Sequence, residues 1–111
     1  MTVVVHPALE DDIRRYAGEY GLIYETLGQR FFIEVRAALT SIETGPEYAG
    51  HLLKTRLTRI KDIRRCNLHS FPFFVLYGTN QDSLLIASLI PSRSDPLTWL
   101  TRFQNWPPSN H

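Results

Sequence analysis

Two apolar runs near the carboxyl end, Phe73-Phe74-Val75-Leu76-Tyr77 and Leu84 to Ile90, are separated by a link of hairpin length, Gly78 to Asp82. That spacing commits the second half of the chain to neighbouring antiparallel strands. A third strand, Ile63 to Leu68, precedes them across the equally short His69 to Pro72. The first half obeys a different period. Leu9, Ile13, Tyr16, Ala17 and Tyr20 recur at helical spacing, as do Tyr24, Leu27, Phe31, Val35, Ala38, Leu39 and Ile42. Pro7 suits a first helical turn, with Glu10, Asp11 and Asp12 at the positive end of the macrodipole. Gly21 ends the first helix and Gly45-Pro46 the second, while Gly28 permits close approach to a neighbour. The short break between the helices predicts an antiparallel helical hairpin packed on a sheet. Thr2 to Val5 is β-branched and reads as a first strand, and Glu47 to Lys61 as a loop with a short extended or turn segment. Asp95-Pro96 starts a short carboxyl-terminal helix leading to Trp99 and Arg102.

The expectation is an α+β fold: an N-terminal strand, an antiparallel helical hairpin, then a three-stranded antiparallel sheet and a short C-terminal helix. Residues 1–105 form a single domain and residues 106–111 a flexible tail. A chain of 111 residues can bury one core without disulfides or metals. The single cysteine, Cys66, excludes an intramolecular disulfide and a cysteine zinc cluster, and as a small hydrophobe it belongs in the core. No cofactor is expected. The start lacks the pattern of a signal peptide and no apolar run is long enough for a membrane span, so the expected location is cytoplasmic, away from membranes.

Charge is distributed unevenly. The net charge of +1 divides into −4 over residues 1–47 and +5 over residues 48–111. Lys54, Arg56, Arg59, Lys61, Arg64 and Arg65 crowd into a short stretch in which Asp62 is the one acid. Such a patch attracts phosphates or an acidic protein surface; the plainer reading is a solvated basic face. Strand parity places Arg64 with Cys66 and Leu68 on one face, and Arg65, Asn67 and His69 on the other. With the helices over Cys66 and Leu68, Arg65, Asn67 and His69 look into an open hollow with Arg93 at its rim. Phe74 and Leu76 share that hollow and offer apolar surface to a partner if the tail does not cover them.

The order and spacing of these pieces resemble the RelE/ParE toxin family of bacterial toxin-antitoxin modules. The matching residues are His6-Pro7-Ala8 with Asp12-Ile13, and Gly28-Gln29-Arg30-Phe31 through Leu39 and Ile42 to Pro46. Further matches are Arg64-Arg65 before Phe71-Pro72-Phe73 and Tyr77, then Arg93, Asp95-Pro96 and Trp99, about residues 3 to 102 in all. The resemblance implies a growth-inhibiting toxin neutralised by a cognate antitoxin, with a homodimer or toxin-antitoxin heterotetramer as assembly. In that family RelE-type members cut mRNA on the ribosome, and ParE-type members poison DNA gyrase.

RNA cleavage requires proton transfer and donors converging on the phosphate. Here Phe74 stands where RNase members usually place an arginine, and Leu89-Ile90-Pro91 where many carry a histidine. Arg65, His69 and Arg93 are the catalytic candidates if the chain is an RNase. Lys61, Arg64, Arg65, Asn67, Phe74, Arg93 and Trp99 are the candidates for target or antitoxin binding. The plainer readings are sheet-edge charges for Arg65 and Arg93, a solvated loop residue for His69 and a packing anchor for Trp99. The leading reading is a ParE-like toxin. The alternatives are a RelE-like endonuclease and a non-toxic family member.

Overall fold

A computed structural model describes residues 1–54, 60–95, 98 and 100–108. The element order is β1 (Thr2–Val5), α1 (Leu9–Gly21), α2 (Glu25–Thr44), α3 (Pro46–Ala49), β2 (His51–Leu53), β3 (Asp62–Asn67), β4 (Phe73–Asn80) and β5 (Ser83–Pro91). A short 3-10 turn, Thr101–Phe103, follows. The α+β class and the helical hairpin agree with expectation. The sheet is larger: five strands in the order β1-β5-β4-β3-β2. It is also mixed, because β1 runs parallel to β5 while the other pairs are antiparallel.

The additional strand, β2, pairs with β3 through three residues and supplies the short extended piece expected within the loop of residues 47–61. Its partner supplies the hydrogen bonds that hold it extended, so its local sequence carries little signal. The single turn α3 before it is clamped from the sheet. Arg64 donates from Nη1 to the carbonyls of Glu47 (3.1 Å) and Gly50 (3.2 Å), and the Tyr77 hydroxyl donates to the Pro46 carbonyl at 2.6 Å. Burial pushes the Tyr77 phenol up to about 12, keeping it a donor.

The hairpin covers one sheet face. Leu9 and Ile13 of α1 and Phe31, Val35 and Ile42 of α2 bury against Cys66, Leu68, Phe73, Val75, Tyr77, Leu84, Ile86 and Leu89. Aromatic edges fill the seam, with the Tyr16–Phe73, Tyr20–Phe71, Phe31–Phe71 and Phe31–Phe73 centroids 4.8 to 5.1 Å apart. The two helices meet at Gly28, where a Cβ would lie 2.7 Å from the Ala17 carbonyl oxygen. Tyr24 departs from the predicted stripe. It flanks the start of α2 and is exposed, since the chain is still extended there. Cys66 is buried as expected, and burial raises its thiol pKa.

The opposite face is covered too. Phe103 and Trp106 pack on Ile60, Ile63, Phe74, Leu76, Leu85 and Ala87, making a second core. This corrects the expectation of an open hollow, which is covered over its centre. Of the expected tail, Trp106 is buried, and residues 109–111 lie outside the described residues. The physical cause is that β4 and β5 are apolar on both faces, so the carboxyl-terminal segment gains by covering the second one. Of the expected C-terminal helix, Pro96, Leu97 and Trp99 lie outside the described residues, and the described part ends in the 3-10 turn.

Candidate functional site

On the second face the tail leaves a strip along β2 and β3 uncovered by this core. The antiparallel register sets His51 opposite Arg65 and Asn67 opposite Phe74. Arg65 lies with its guanidinium carbon 4.0 Å from the centroid of the Phe74 ring. Its Nε and Nη2 donate to Asn67 Oδ1 at 3.0 and 2.9 Å. Phe74 is 0% exposed, sealed between the tail and this guanidinium. A cation over a desolvated ring is held more firmly than one on an exposed ring, so Arg65 is fixed in direction. The strip therefore presents an oriented cation, an amide and an imidazole above an apolar floor.

The other sequence candidates divide between two ends of the sheet. His69 is exposed in the turn after β3, and Arg93 is exposed in the turn after β5. Those turns are neighbours, since the Ser92 amide donates to the Pro72 carbonyl at 2.8 Å. Both therefore stand at the Asn67 end of the sheet. Lys61 precedes β3 at the other end, about 20 Å of strand away. Arg64 faces the helix side and braces α3 through its hydrogen bonds to two backbone carbonyls. Phe74, expected to offer apolar surface to a partner if the tail did not cover it, is covered and forms a buried floor. Arg56 and Arg59 of the basic patch, and Trp99, lie outside the described residues.

A second cluster has no local sequence signature. Arg102, in the 3-10 turn, grips Asp12 of α1 through two contacts, Nη1–Oδ2 at 2.5 Å and Nη2–Oδ1 at 3.0 Å. Its Nη1 also donates to the Ala87 carbonyl at 3.0 Å. That carbonyl sits at a bulge: Leu76 pairs with Ser88 and Tyr77 with Ile86, leaving Ala87 over. His6 adjoins this cluster, its ring 5.0 Å from that of Trp106 and its Nδ1 accepting from the Ala8 amide at 3.0 Å. Burial, and then the Arg102 charge, hold the His6 pKa below its ordinary value, against a smaller opposing effect of Asp12. Residues 90 positions apart meet here, and the pairing rule that would join them is tertiary.

Chemically, the β2–β3 strip is equipped to bind. Arg65 spends two donors on Asn67, and at the strip the described residues supply imidazole and amide groups but no carboxylate partner for either His51 or His69. Among the described residues no group of three or more His, Cys, Asp or Glu side chains is placed to hold a metal ion, and no helix is long and apolar enough to cross a membrane. Compared with known proteins, the chain matches no family model, no curated protein and no solved structure.

Proposed function

We propose that this chain is a ParE-like toxin of a toxin-antitoxin module, which inhibits growth by binding a protein target such as DNA gyrase and is neutralised by a cognate antitoxin. The observation that carries the reading is the Arg65–Phe74 stack. The position that would have to stabilise a cleaved phosphate is a fully buried phenylalanine, and the arginine beside it is committed to that ring and to Asn67. Such a surface recognises acidic or aromatic protein groups without needing to move protons. The arrangement of one strand, a helical hairpin over one face and consecutive antiparallel strands is consistent with the family layout.

Purified protein added to gyrase in a supercoiling assay is expected to inhibit it, and Arg65→Ala to weaken that inhibition by about tenfold, the value of one well-placed charged contact. An undiminished supercoiling rate at micromolar protein removes gyrase as the target.

A second reading, ribosome-dependent mRNA cleavage, is favoured by one observation: the Ser92–Pro72 hydrogen bond brings the turns bearing His69 and Arg93 to the Asn67 end of the sheet. It requires cleavage of ribosome-bound message that is lost in Arg65→Ala or Arg93→Ala. If neither gyrase inhibition nor message cleavage occurs and induced expression leaves growth unchanged, the chain is a non-toxic member of this group.

A further inference from the structure

β1 ends opposite Ile86, so among the described residues no strand pairs with the outer edge of β5 from Ala87 onward. A cavity of about 260 Å³ opens there, walled by α1 on one side and by the carboxyl-terminal segment on the other. Asp12, Arg15 and Tyr16 line it from α1, Ser88 from β5, and Thr101 and Arg102 from the tail. Its one lining carboxylate, Asp12, is already engaged through both oxygens by Arg102. The lining therefore carries one cation in excess, that of Arg15.

Ser88 is the telling residue. It is 5% exposed, yet its hydroxyl has no hydrogen-bond partner among the described residues. No described side-chain polar atom is both sealed from solvent and unpaired, so this oxygen keeps some access to solvent, and Ser88 lines the cavity. A hydroxyl sunk in the floor of a donor-lined cavity is a preformed contact awaiting an acceptor. Arg15 can supply another, because its present contacts are weak. Its ion pair with Glu19 is a 3.5 Å contact between side chains that are 71% and 59% exposed, an attachment worth little, and its guanidinium carbon lies 5.3 Å from the centroid of the Tyr16 ring, which leaves its N–H donors available.

We propose that this cavity binds a phosphate-class anion, either free phosphate or the phosphate monoester of a nucleotide. Three elements contribute donors to its lining: Arg15 of α1, Ser88 of the sheet, and Arg102 of the tail, whose Nε and second Nη2 hydrogen are not engaged by Asp12 or Ala87. That arrangement suits a tetrahedral acceptor better than a planar carboxylate, and guanidinium groups match phosphate oxygens in geometry. The ligand would also join the tail to α1, adding to the Asp12–Arg102 link. The site is separate from the β2–β3 strip, and the inference stands whatever that strip binds.

The test is an amide NMR titration of the intact 12.8 kDa chain with inorganic phosphate and with adenosine 5′-monophosphate. Adenosine and sodium chloride at matched ionic strength serve as controls. Saturable shifts centred on Ser88, Ser94, Thr98 and Thr101 are expected at about millimolar ligand, with Ser88→Ala and Arg15→Gln each weakening binding about tenfold. Tighter binding of the nucleotide than of phosphate identifies a monoester as the ligand; equal binding identifies the phosphate group alone. Arg15 is a surface residue, so its variant decides the matter even if Ser88→Ala folds poorly. Absence of saturation, shifts located elsewhere, responses matched by sodium chloride, or unchanged affinity in Arg15→Gln would overturn the proposal.

Discussion

His6 illustrates how a single side chain couples the tail to pH. Its neutral Nδ1 accepts the Ala8 amide, and its ring rests against Trp106 beside the Arg102 cation. Protonation would turn that acceptor into a donor facing a donor and add a second positive charge. Because the folded pKa lies below the ordinary 6.5, the unfolded chain takes up the proton first as the solution is acidified. The stability tied to His6 is therefore complete above about pH 6.5 and declines below it. Thermal unfolding followed from about pH 7.5 to about pH 5 should show a falling midpoint in the wild type and a flatter profile in His6→Asn, whose amide oxygen can accept the same bond. Superimposable profiles would refute the coupling. Gln81 sits in a different kind of constraint. Pairing continues to Asn80 and Ser83, so Gln81 and Asp82 alone make the β4–β5 turn, and Gln81 adopts φ 55°. Glycine reaches that left-handed region without a Cβ penalty, and Gln81→Gly should raise stability by about 0.5–1 kcal/mol in urea unfolding.

At the scale of elements, the hairpin depends on one contact between helices. Gly28 of α2 lies so close to α1 that a methyl group would stand 2.7 Å from the Ala17 carbonyl oxygen and 2.9 Å from Gly21 Cα. Both obstacles are backbone, so the helices must part rather than a side chain turn aside. Gly28→Ala gains helix propensity yet should lower stability by about 1–3 kcal/mol, the usual cost of overpacking. An unchanged or raised denaturant midpoint would show that the hairpin is free to open. The helical stripe made this contact foreseeable, because a lone glycine within a strongly periodic helix commonly marks close approach. The β2 strand was legible only as a short extended or turn segment somewhere within residues 47–61, without its bounds or its pairing. Three residues carry too short a pattern, and what holds His51–Leu53 extended is the neighbouring β3.

The whole molecule is a three-layer object: hairpin, sheet and a thin carboxyl-terminal cover. The cover is short, yet it buries Phe103 and Trp106 against the face that β4 and β5 present through Phe74, Leu76 and Leu85. Phe103 is 1% exposed, and its removal should cost about 3–5 kcal/mol. Phe103→Ala is therefore expected to unfold at clearly lower urea concentration and to bind a hydrophobic dye that the wild type excludes. A wild-type midpoint with no dye binding would show that the second core contributes nothing. The same cover restricts the candidate binding surface to the β2–β3 strip and creates the cavity beside α1.

From the residues alone, the helical hairpin, the strand cluster, the buried Cys66 and the opposed facing of Arg64 and Arg65 are all legible, because each follows from a local period of about 3.6 or 2. The apolar character of Phe73–Tyr77 and, but for Ser88, of Leu84–Ile90 also carried a message about the second face: strands apolar on both sides are covered on both sides. What only the tertiary structure decided is which segment provides that cover, which edge of β5 remains without a strand, and how Asp12 finds Arg102. Those outcomes depend on contacts between residues far apart in the chain, where no periodicity reaches, and they are settled by which packing buries the most apolar surface while pairing the polar groups that go in with it.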